Sequence, residues 1–153
     1  MSIAVSIKEQ LTEDMKAALR AGDKLKLASV RLALAAVKQR EVDSRETLGD
    51  EEVLAVVEKL IKQGRDSAAQ FRDAGRTDLA DKETAEVEVL SQYLPEPLSE
   101  ADLEALIAEV IAASGATSMR DMGKVMAAIK SRAAGRVDMA AVGPRVRAKL
   151  GTA

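Results

Sequence analysis

The amino-acid sequence predicts an all-α protein, because its composition and its apolar periodicity both favour packed helices. Apolar residues make up 47% of the 153 positions, yet Phe71 and Tyr93 are the only aromatic side chains. A core of Leu, Val, Ile, Met and Ala is typical of helical proteins. Apolar side chains also recur three and four residues apart along most of the chain. We therefore predict a four-helix N-terminal bundle followed by a three-helix C-terminal domain.

The first two helices are predicted from their ends. Ser6 opens a capping-box pattern before the first helix, and Gly22 is a typical C′ residue behind it. Asp23 can cap a second helix over residues 24–40, and the polar segment 41–49 is predicted to be a loop. The expected buried stripes are Ile7, Leu11, Met15 and Leu19 in the first helix and Leu27, Val30, Leu34 and Val37 in the second.

Two further helices are predicted to complete the bundle. Asp50 is expected to cap the third helix, which ends at Gly75. Gly64 lies inside this helix, where glycine costs about 1 kcal/mol relative to alanine. The fourth helix begins near Thr77. The expected buried positions are Val53, Val57, Leu60 and Phe71 in the third helix and Leu79, Val87, Leu90 and Leu94 in the fourth.

A pair of prolines divides the chain. Pro95 and Pro97 each disfavour helix in the residue before them, so the segment between the two parts should be extended. We predict an N-terminal helical domain over residues 1–94, a connector over residues 95–98 and a C-terminal domain over residues 99–153.

The C-terminal domain is predicted to contain three helices. Ser99 and Ser118 are expected to cap the first and the second, and the second should stop near Gly135. Gly143 as N-cap and Pro144 at the first helical position would start the last, because the missing N–H costs nothing there. The expected apolar faces are Leu103, Leu106, Ile107 and Val110, then Met122, Val125, Met126 and Ile129, then Val146 and Leu150.

Composition removes several classes of site. The chain has no Cys and no His, which excludes disulfides, thiolate sites and cysteine nucleophiles and removes the usual general base. The Gly123-Lys124 pair lacks the other Gly and the Ser/Thr of a phosphate-binding loop. Lys130 and Ser131 are neighbours on a helix and do not face each other, which argues against a Ser/Lys pair. We predict no catalytic residue, no metal site and no cofactor.

No leader-like segment or long apolar run is found in the sequence. The N-terminus has no apolar run flanked by positive charge, and no stretch of 18 apolar residues occurs. We expect a cytoplasmic protein that does not engage membranes.

Charge is distributed unevenly along the chain. Residues 1–98 carry 15 Lys/Arg and 19 Asp/Glu, and residues 99–117 add four acidic residues. Residues 118–153 instead carry eight Lys/Arg against two Asp/Glu, a net charge of +6. Such a patch can bind phosphates although the whole chain has a net charge of −2. A solvated helix face with cations near helix C-termini explains the pattern equally well.

The basic segment is the strongest functional feature of the sequence. Scarce aromatic side chains argue against stacking on single-stranded bases, which favours docking on a folded RNA through shape and phosphates. DNA is not expected as a partner. The candidate nucleic-acid-binding residues are Lys124, Lys130, Arg132, Arg136, Arg145 and Lys149.

Three sequence blocks carry a family resemblance along nearly the whole chain. The first is Lys62-Gln63-Gly64-Arg65-Asp66-Ser67 with Gln70-Phe71; the second runs from Ala74-Gly75-Arg76-Thr77-Asp78-Leu79-Ala80 through Lys82-Glu83 and Glu86 to Tyr93-Leu94-Pro95; the third is Met122-Gly123-Lys124-Val125-Met126 with Gly135-Arg136 and Asp138. In this order the blocks resemble the GatB/YqeY family, specifically its stand-alone YqeY-like members. Gly64, where an Arg or similar residue is expected, and Pro144 depart from the family pattern.

The resemblance implies a C-terminal module similar to the tail of the B subunit of the glutamine-dependent tRNA amidotransferase. That enzyme converts misacylated Glu-tRNA(Gln) or Asp-tRNA(Asn), and its tail contacts the tRNA. The resemblance therefore implies tRNA as a partner of residues 99–153, with Lys124, Lys130 and Arg136 as phosphate contacts. It also implies a carbon–nitrogen ligase label with glutamine as amide donor, and a tRNA-charging or amidotransferase complex as a possible partner.

Our hypothesis from the sequence is an accessory, non-catalytic tRNA-binding protein. Two alternatives stay open. One is a transamidation enzyme or enzyme subunit, and the other is a protein–protein adaptor that uses the acidic N-terminal bundle.

Overall fold

The computed structural model describes residues 5–151, and in that range the prediction of an all-helical chain is confirmed. These residues form seven α-helices and one 3₁₀-helix, with no strand among them. The helices are α1 (Ile7–Ala21), α2 (Lys24–Ser44), α3 (Asp50–Asp73), α4 (Thr77–Ser91), α5 (Glu100–Ser114), α6 (Met122–Arg132) and α7 (Met139–Gly151), and the 3₁₀-helix (Met119–Asp121) directly precedes α6.

The chain forms two compact units, one ending at Leu94 and the other beginning at Pro95. The first contains α1 to α4 and the second contains α5 to α7. No helix in the described range is long and apolar enough to cross a membrane.

Each unit has its own aliphatic core. In the first unit α3 packs along α4, and α2 contacts α1, α3 and α4. In the second unit α6 packs against both α5 and α7. The buried residues are Leu11, Val30, Ala33, Val37, Leu48, Val53, Val56, Val57, Ile61, Val87 and Leu90 in the first core and Leu103, Ile107, Val110, Val125, Ile129, Val142, Val146 and Leu150 in the second.

Local capping signals are confirmed at several helix ends. The Ser6 hydroxyl accepts a hydrogen bond from the backbone N–H of Glu9 at 3.1 Å, and Ser99 caps α5 in the same way. Ser118 forms a full capping box at the 3₁₀-helix. Gly22 ends α1 in the left-handed conformation, with φ 70°. Leu19, in contrast, is exposed rather than buried, because Ala18 takes the inward position in the last turn of α1.

The second helix is longer than predicted, so the loop after it begins later than residue 41. α2 continues to Ser44, and its last turns are stabilised by contacts from distant parts of the chain. Glu41 accepts hydrogen bonds from Lys8 Nζ at 2.8 Å and from the backbone N–H of Leu48 at 2.9 Å. The bond from Lys8 is the main cause that lowers the pKa of Glu41. Arg45, with φ 59°, then ends the helix.

Asp50 does not cap its own helix. Gly49 is the N-cap of α3, and Asp50 is the first residue inside it. The Asp50 carboxylate instead accepts the backbone N–H of Ile7 at 3.0 Å. This N–H belongs to the first turn of α1 and has no partner within that helix, so Asp50 caps a neighbouring helix.

The last helix begins earlier than predicted. α7 starts at Met139, and Asp138 accepts the backbone N–H of Ala140 at 3.0 Å. Pro144 therefore lies inside the helix, where it removes one i→i−4 hydrogen bond. Gly143 precedes it and has no Cβ to collide with the proline ring, which reduces the cost of a helical conformation there. The preceding helix, α6, ends at Arg132, three residues before Gly135.

Gly64 allows α3 and α4 to approach closely. It is buried inside α3, and a Cβ added there would lie 2.6 Å from Cγ2 of Val87 in α4. The stiff, β-branched Val87 side chain is itself buried. A larger residue at position 64 would therefore push the two helices apart.

We expect Gly64→Ala to lower the free energy of unfolding by about 1–2 kcal/mol, because overpacking outweighs the better helix propensity of alanine. Gly123→Ala is the matched control, since nothing lies within 4 Å of a Cβ at that helical position. This control should be neutral or stabilising by about 0.5 kcal/mol. Urea denaturation followed by NMR signals of each unit measures both. A Gly64→Ala protein as stable as the wild type would contradict the close contact.

Candidate nucleic-acid interface

Acidic residues of α5 pair with cations of the two basic helices of the second unit. Glu100, Glu104 and Glu109 all project from α5 and form ion pairs with cations that follow much later in the chain. The second unit, from Pro95 onward, carries eight Lys/Arg and seven Asp/Glu, so its net charge is only +1. Much of the +6 found in the last 36 residues is therefore balanced by α5.

Two of the candidate residues meet at one carboxylate. Arg145 Nη1 lies 3.0 Å from Glu104 Oε1, and Lys149 Nζ lies 3.1 Å from Glu104 Oε2. Arg145 also pairs with Glu100, which raises the pKa of the guanidinium. The hydrogen bond from Lys149 is the largest cause that holds the pKa of Glu104 below its usual range; desolvation opposes it, and the hydrogen bond from Arg145 adds to the lowering.

Three other candidates also have partners within the second unit. Arg132 Nη2 lies 3.1 Å from Glu109 Oε1. Arg136 Nε donates to the carbonyl of Glu96 at 2.8 Å, which ties the proline segment to the loop after α6. Lys124 Nζ donates to the carbonyl of Ser114, the last residue of α5, at 3.4 Å. Because both bonds go to backbone carbonyls, Arg136 and Lys124 have no carboxylate partner among residues 5–151.

Lys130 is exposed and makes no hydrogen bond or ion pair with the described residues. The side chains of Arg120 and Arg147 are likewise exposed and make no hydrogen bond or ion pair with the described residues, although neither was among the six candidates. Sequence spacing could not identify these cations as unpaired, because pairing depends on which cations the carboxylates of α5 can reach in the folded unit. Of the six candidates, Arg145 and Lys149 meet at Glu104, and three, Arg132, Arg145 and Lys149, form ion pairs with α5.

Helix ends account for part of this pattern. Lys130 and Arg132 lie in the last turn of α6, and Lys149 in the last turn of α7. Cations are favoured there by the helix dipole, so this placement fits the interpretation as a solvated helix face as well as a binding role.

The first unit has a groove of about 450 Å³ between α3 and α4. Arg72 Nη2 donates to Thr84 Oγ1 at 3.2 Å across it. Its lining residues are Arg65, Ala68, Arg72, Thr84, Val87, Glu88 and Ser91. Within residues 5–151, no group of three or more Asp and Glu side chains is arranged to hold a metal ion.

Comparison with known proteins assigns the family. The family of YqeY-like proteins matches residues 8–150. The chain belongs to the YqeY-like family. The match covers helices of both units, and it confirms the resemblance found in the three sequence blocks.

Curated relatives come from fungi. Altered inheritance of mitochondria protein 41 of Kluyveromyces lactis is 40% identical over 84 residues, which are 54% of this chain and 45% of that protein. The protein of the same name from Pyrenophora tritici-repentis is 29% identical over 147 residues, 93% of this chain and 80% of that protein. An uncharacterized protein of Schizosaccharomyces pombe is 32% identical over 93 residues, 61% of this chain and 72% of that protein.

The chain spans about half the length of three yeast proteins of this name, with 45%, 46% and 56% of the residues covered in those from Kluyveromyces lactis, Vanderwaltozyma polyspora and Lachancea thermotolerans. Their names describe mitochondrial proteins, so a cytoplasmic location for this YqeY-like protein stays a prediction.

The ion pairs of Glu104 should make the second unit sensitive to acid. Because its pKa is lower in the folded state, the stabilisation is complete above the unfolded-state pKa of about 4.3 and is lost as pH falls through the lower folded value. We expect Glu104→Gln to destabilise the second unit at pH 7 and to remove part of this acid sensitivity. Urea titrations followed by NMR signals of α5 and α7, at neutral and acid pH, measure both effects. Glu46→Gln, in an exposed turn without an ion pair, is the control; equal pH profiles for both variants would contradict the assignment.

Proposed function

We propose that this YqeY-like protein binds a folded RNA through its second unit, as an accessory, non-catalytic module. The observation that carries the proposal is a set of cations without a carboxylate partner among the described residues. They belong to the 3₁₀-helix, α6, α7 and the loop between α6 and α7, and the set is Arg120, Lys124, Lys130, Arg136 and Arg147. Cations of this kind supply the salt-dependent part of RNA binding when they neutralise phosphates.

Side-chain chemistry favours folded over single-stranded RNA. Phe71 and Tyr93, the two aromatic residues of the chain, both belong to the first unit. The second unit therefore has no aromatic surface on which an unpaired base could stack. Backbone phosphates and overall shape remain as the features that it can recognise. The resemblance to the amidotransferase tail makes tRNA the candidate RNA.

The ion-paired candidates have a secondary place in this proposal. Arg132, Arg145 and Lys149 are all partly exposed, and exposed ion pairs contribute only about 0–1 kcal/mol. A phosphate could therefore compete with their carboxylates at small cost. A phosphate that binds Lys124, Lys130 or Arg136 would not have to displace a carboxylate of the described residues.

Charge reversal tests the proposal directly. We expect Lys124→Glu combined with Lys130→Glu to weaken binding of total tRNA about tenfold or more at low salt, and to flatten the salt dependence by roughly one to two units of logarithmic slope. Filter binding across a potassium chloride series measures both quantities on the full chain.

The matched control is Lys59→Glu combined with Lys82→Glu, which makes the same change of net charge on exposed positions of the first unit. This variant should bind tRNA within about twofold of the wild type. No binding by the wild type at low salt, or equal losses in the two variants, would refute binding through the second unit.

Transamidation is the alternative that the family label raises. We expect the purified protein, given ATP, magnesium and glutamine, to leave misacylated Glu-tRNA(Gln) unchanged, because the chain has no His or Cys to act as base or nucleophile. Acid-gel or mass-spectrometric analysis of the aminoacyl group reads the result. Conversion above the level without protein would assign it an enzymatic role.

A further inference from the structure

Helix α2 is apolar on two opposite faces. Its inner face contributes Val30, Ala33 and Val37 to the first core. Its outer face carries the outer seam, which consists of exposed residues: Leu25, Ala28, Leu32, Ala35, Gln39 and Val42. Leu25, Leu32 and Val42 expose 40%, 46% and 63% of their surface. A helix with only one buried face is expected to be polar on the other.

The spacing of the outer seam is that of a helix-pairing surface. Its six positions follow one another at intervals of three, four, three, four and three residues, which is the a/d pattern of a coiled coil. Leucine and alanine alternate in its first four positions, so each large side chain is followed by a small one that leaves space beside it. This relief suits the knobs-into-holes packing of a second helix.

One flank of the outer seam is basic. Lys24, Arg31 and Lys38 are spaced seven residues apart, so they lie along one edge of the seam. All three are exposed and make no hydrogen bond or ion pair with the described residues. The other flank turns toward the protein's own core, where Ser29 is fully buried and donates to the carbonyl of Leu25 at 2.9 Å. The basic edge is open along the whole seam, whereas the other flank is open only near its C-terminal end, where the exposed Asp43 accepts a hydrogen bond from Gln39.

We propose that the outer seam binds an amphipathic helix of another protein, with an apolar a/d stripe and an acidic flank. Burial of the stripe against Leu25 and Leu32 supplies affinity, and acidic residues opposite Arg31 and Lys38 set the register and the orientation. This function is separate from RNA binding, because it uses α2 and no residue of the second unit.

The basic edge favours this partner over a second copy of the chain. In an antiparallel pair of copies, the cationic edges would face each other and repel. In a parallel pair, Lys24 would meet the buried Ser29 of the other copy and Arg31 the half-buried Ala36, so only Lys38 would meet a carboxylate, at Asp43. A lipid surface fits less well, because the stripe is narrow, has alanine at alternate seam positions and lacks the aromatic residues of interfacial helices.

The test uses two labelled synthetic peptides of roughly three heptads, the length of the seam. Both carry leucine at a and d; one carries glutamate and the other lysine at the flanking positions. In fluorescence anisotropy with the full chain, we expect the acidic peptide to bind about tenfold or more tightly than the basic one. Leu32→Glu should weaken the acidic peptide about tenfold, and Arg31→Glu combined with Lys38→Glu should reverse the preference between peptides.

Met119→Glu is the matched control, since Met119 is an apolar residue of the second unit that is 44% exposed. It should change peptide affinity less than about twofold, and Leu32→Glu should retain the tRNA affinity and the thermal midpoint of the wild type. Equal binding of both peptides, or no binding, overturns the proposal. A dimer in sedimentation equilibrium that Leu32→Glu dissolves, or binding to anionic phosphatidylserine vesicles but not to the acidic peptide, overturns it in favour of a second copy or a lipid surface.

Discussion

Both units must build their cores from aliphatic side chains, and this constraint sets how closely their helices pack. The buried residues are mainly Val, Leu, Ile and Ala, while Phe71 and Tyr93 are only partly buried. Without large rings to fill the space between helices, good packing density requires short distances between helix axes. Gly64 provides such a distance at Val87, and the fully buried Ala33 and Ala80 provide small surfaces elsewhere. Tyr93 adds a polar tie instead, since its hydroxyl donates to Asp14 at 2.5 Å.

Close packing of the helices also determines which charged residues of the second unit are already paired. Helices α6 and α7 carry most of its cations, and helices of like charge repel each other when they pack. Glu100, Glu104 and Glu109 on α5 offset this repulsion by pairing with Arg132, Arg145 and Lys149. The cations that remain open are those that pair with no carboxylate of α5 among the described residues. The ion pairs that help the unit to fold therefore also determine which of its cations stay available for a phosphate.

Features set by neighbours in sequence were predictable, and features set by distant residues were not. The caps at Ser6 and Ser99 depend on the next three residues, so their patterns predicted helix starts correctly. Ser118 caps the 3₁₀-helix instead of α6, which begins at Met122 with Asp121 as its N-cap. The extension of α2 depends on Lys8, 33 residues before Glu41, and the role of Asp50 depends on Ile7, 43 residues away. The start of α7 was missed for another reason, because Asp138 offered a cap that the more conspicuous Pro144 obscured.

The candidate site follows the same division. Sequence alone located the basic segment, since charge can be counted without a fold. It could not tell Lys130 from Arg145, because the partner of Arg145 lies 41 residues earlier at Glu104. The outer seam was missed because one stripe of α2, through Val30 and Val37, was sufficient to explain a buried helix.

Binding at the two proposed surfaces should respond differently to salt concentration. Binding of RNA by phosphate neutralisation falls steeply as salt rises, because the counterions that the RNA releases on binding gain less entropy in concentrated salt. The outer seam combines a cationic edge with apolar side chains, and only the edge is screened within a Debye length of about 8 Å at physiological ionic strength. Burial of Leu25 and Leu32 is not weakened by screening. An α2 partner should therefore keep part of its affinity at salt concentrations that release RNA. The two proposed surfaces should thus differ in their salt dependence, although both use exposed lysine and arginine.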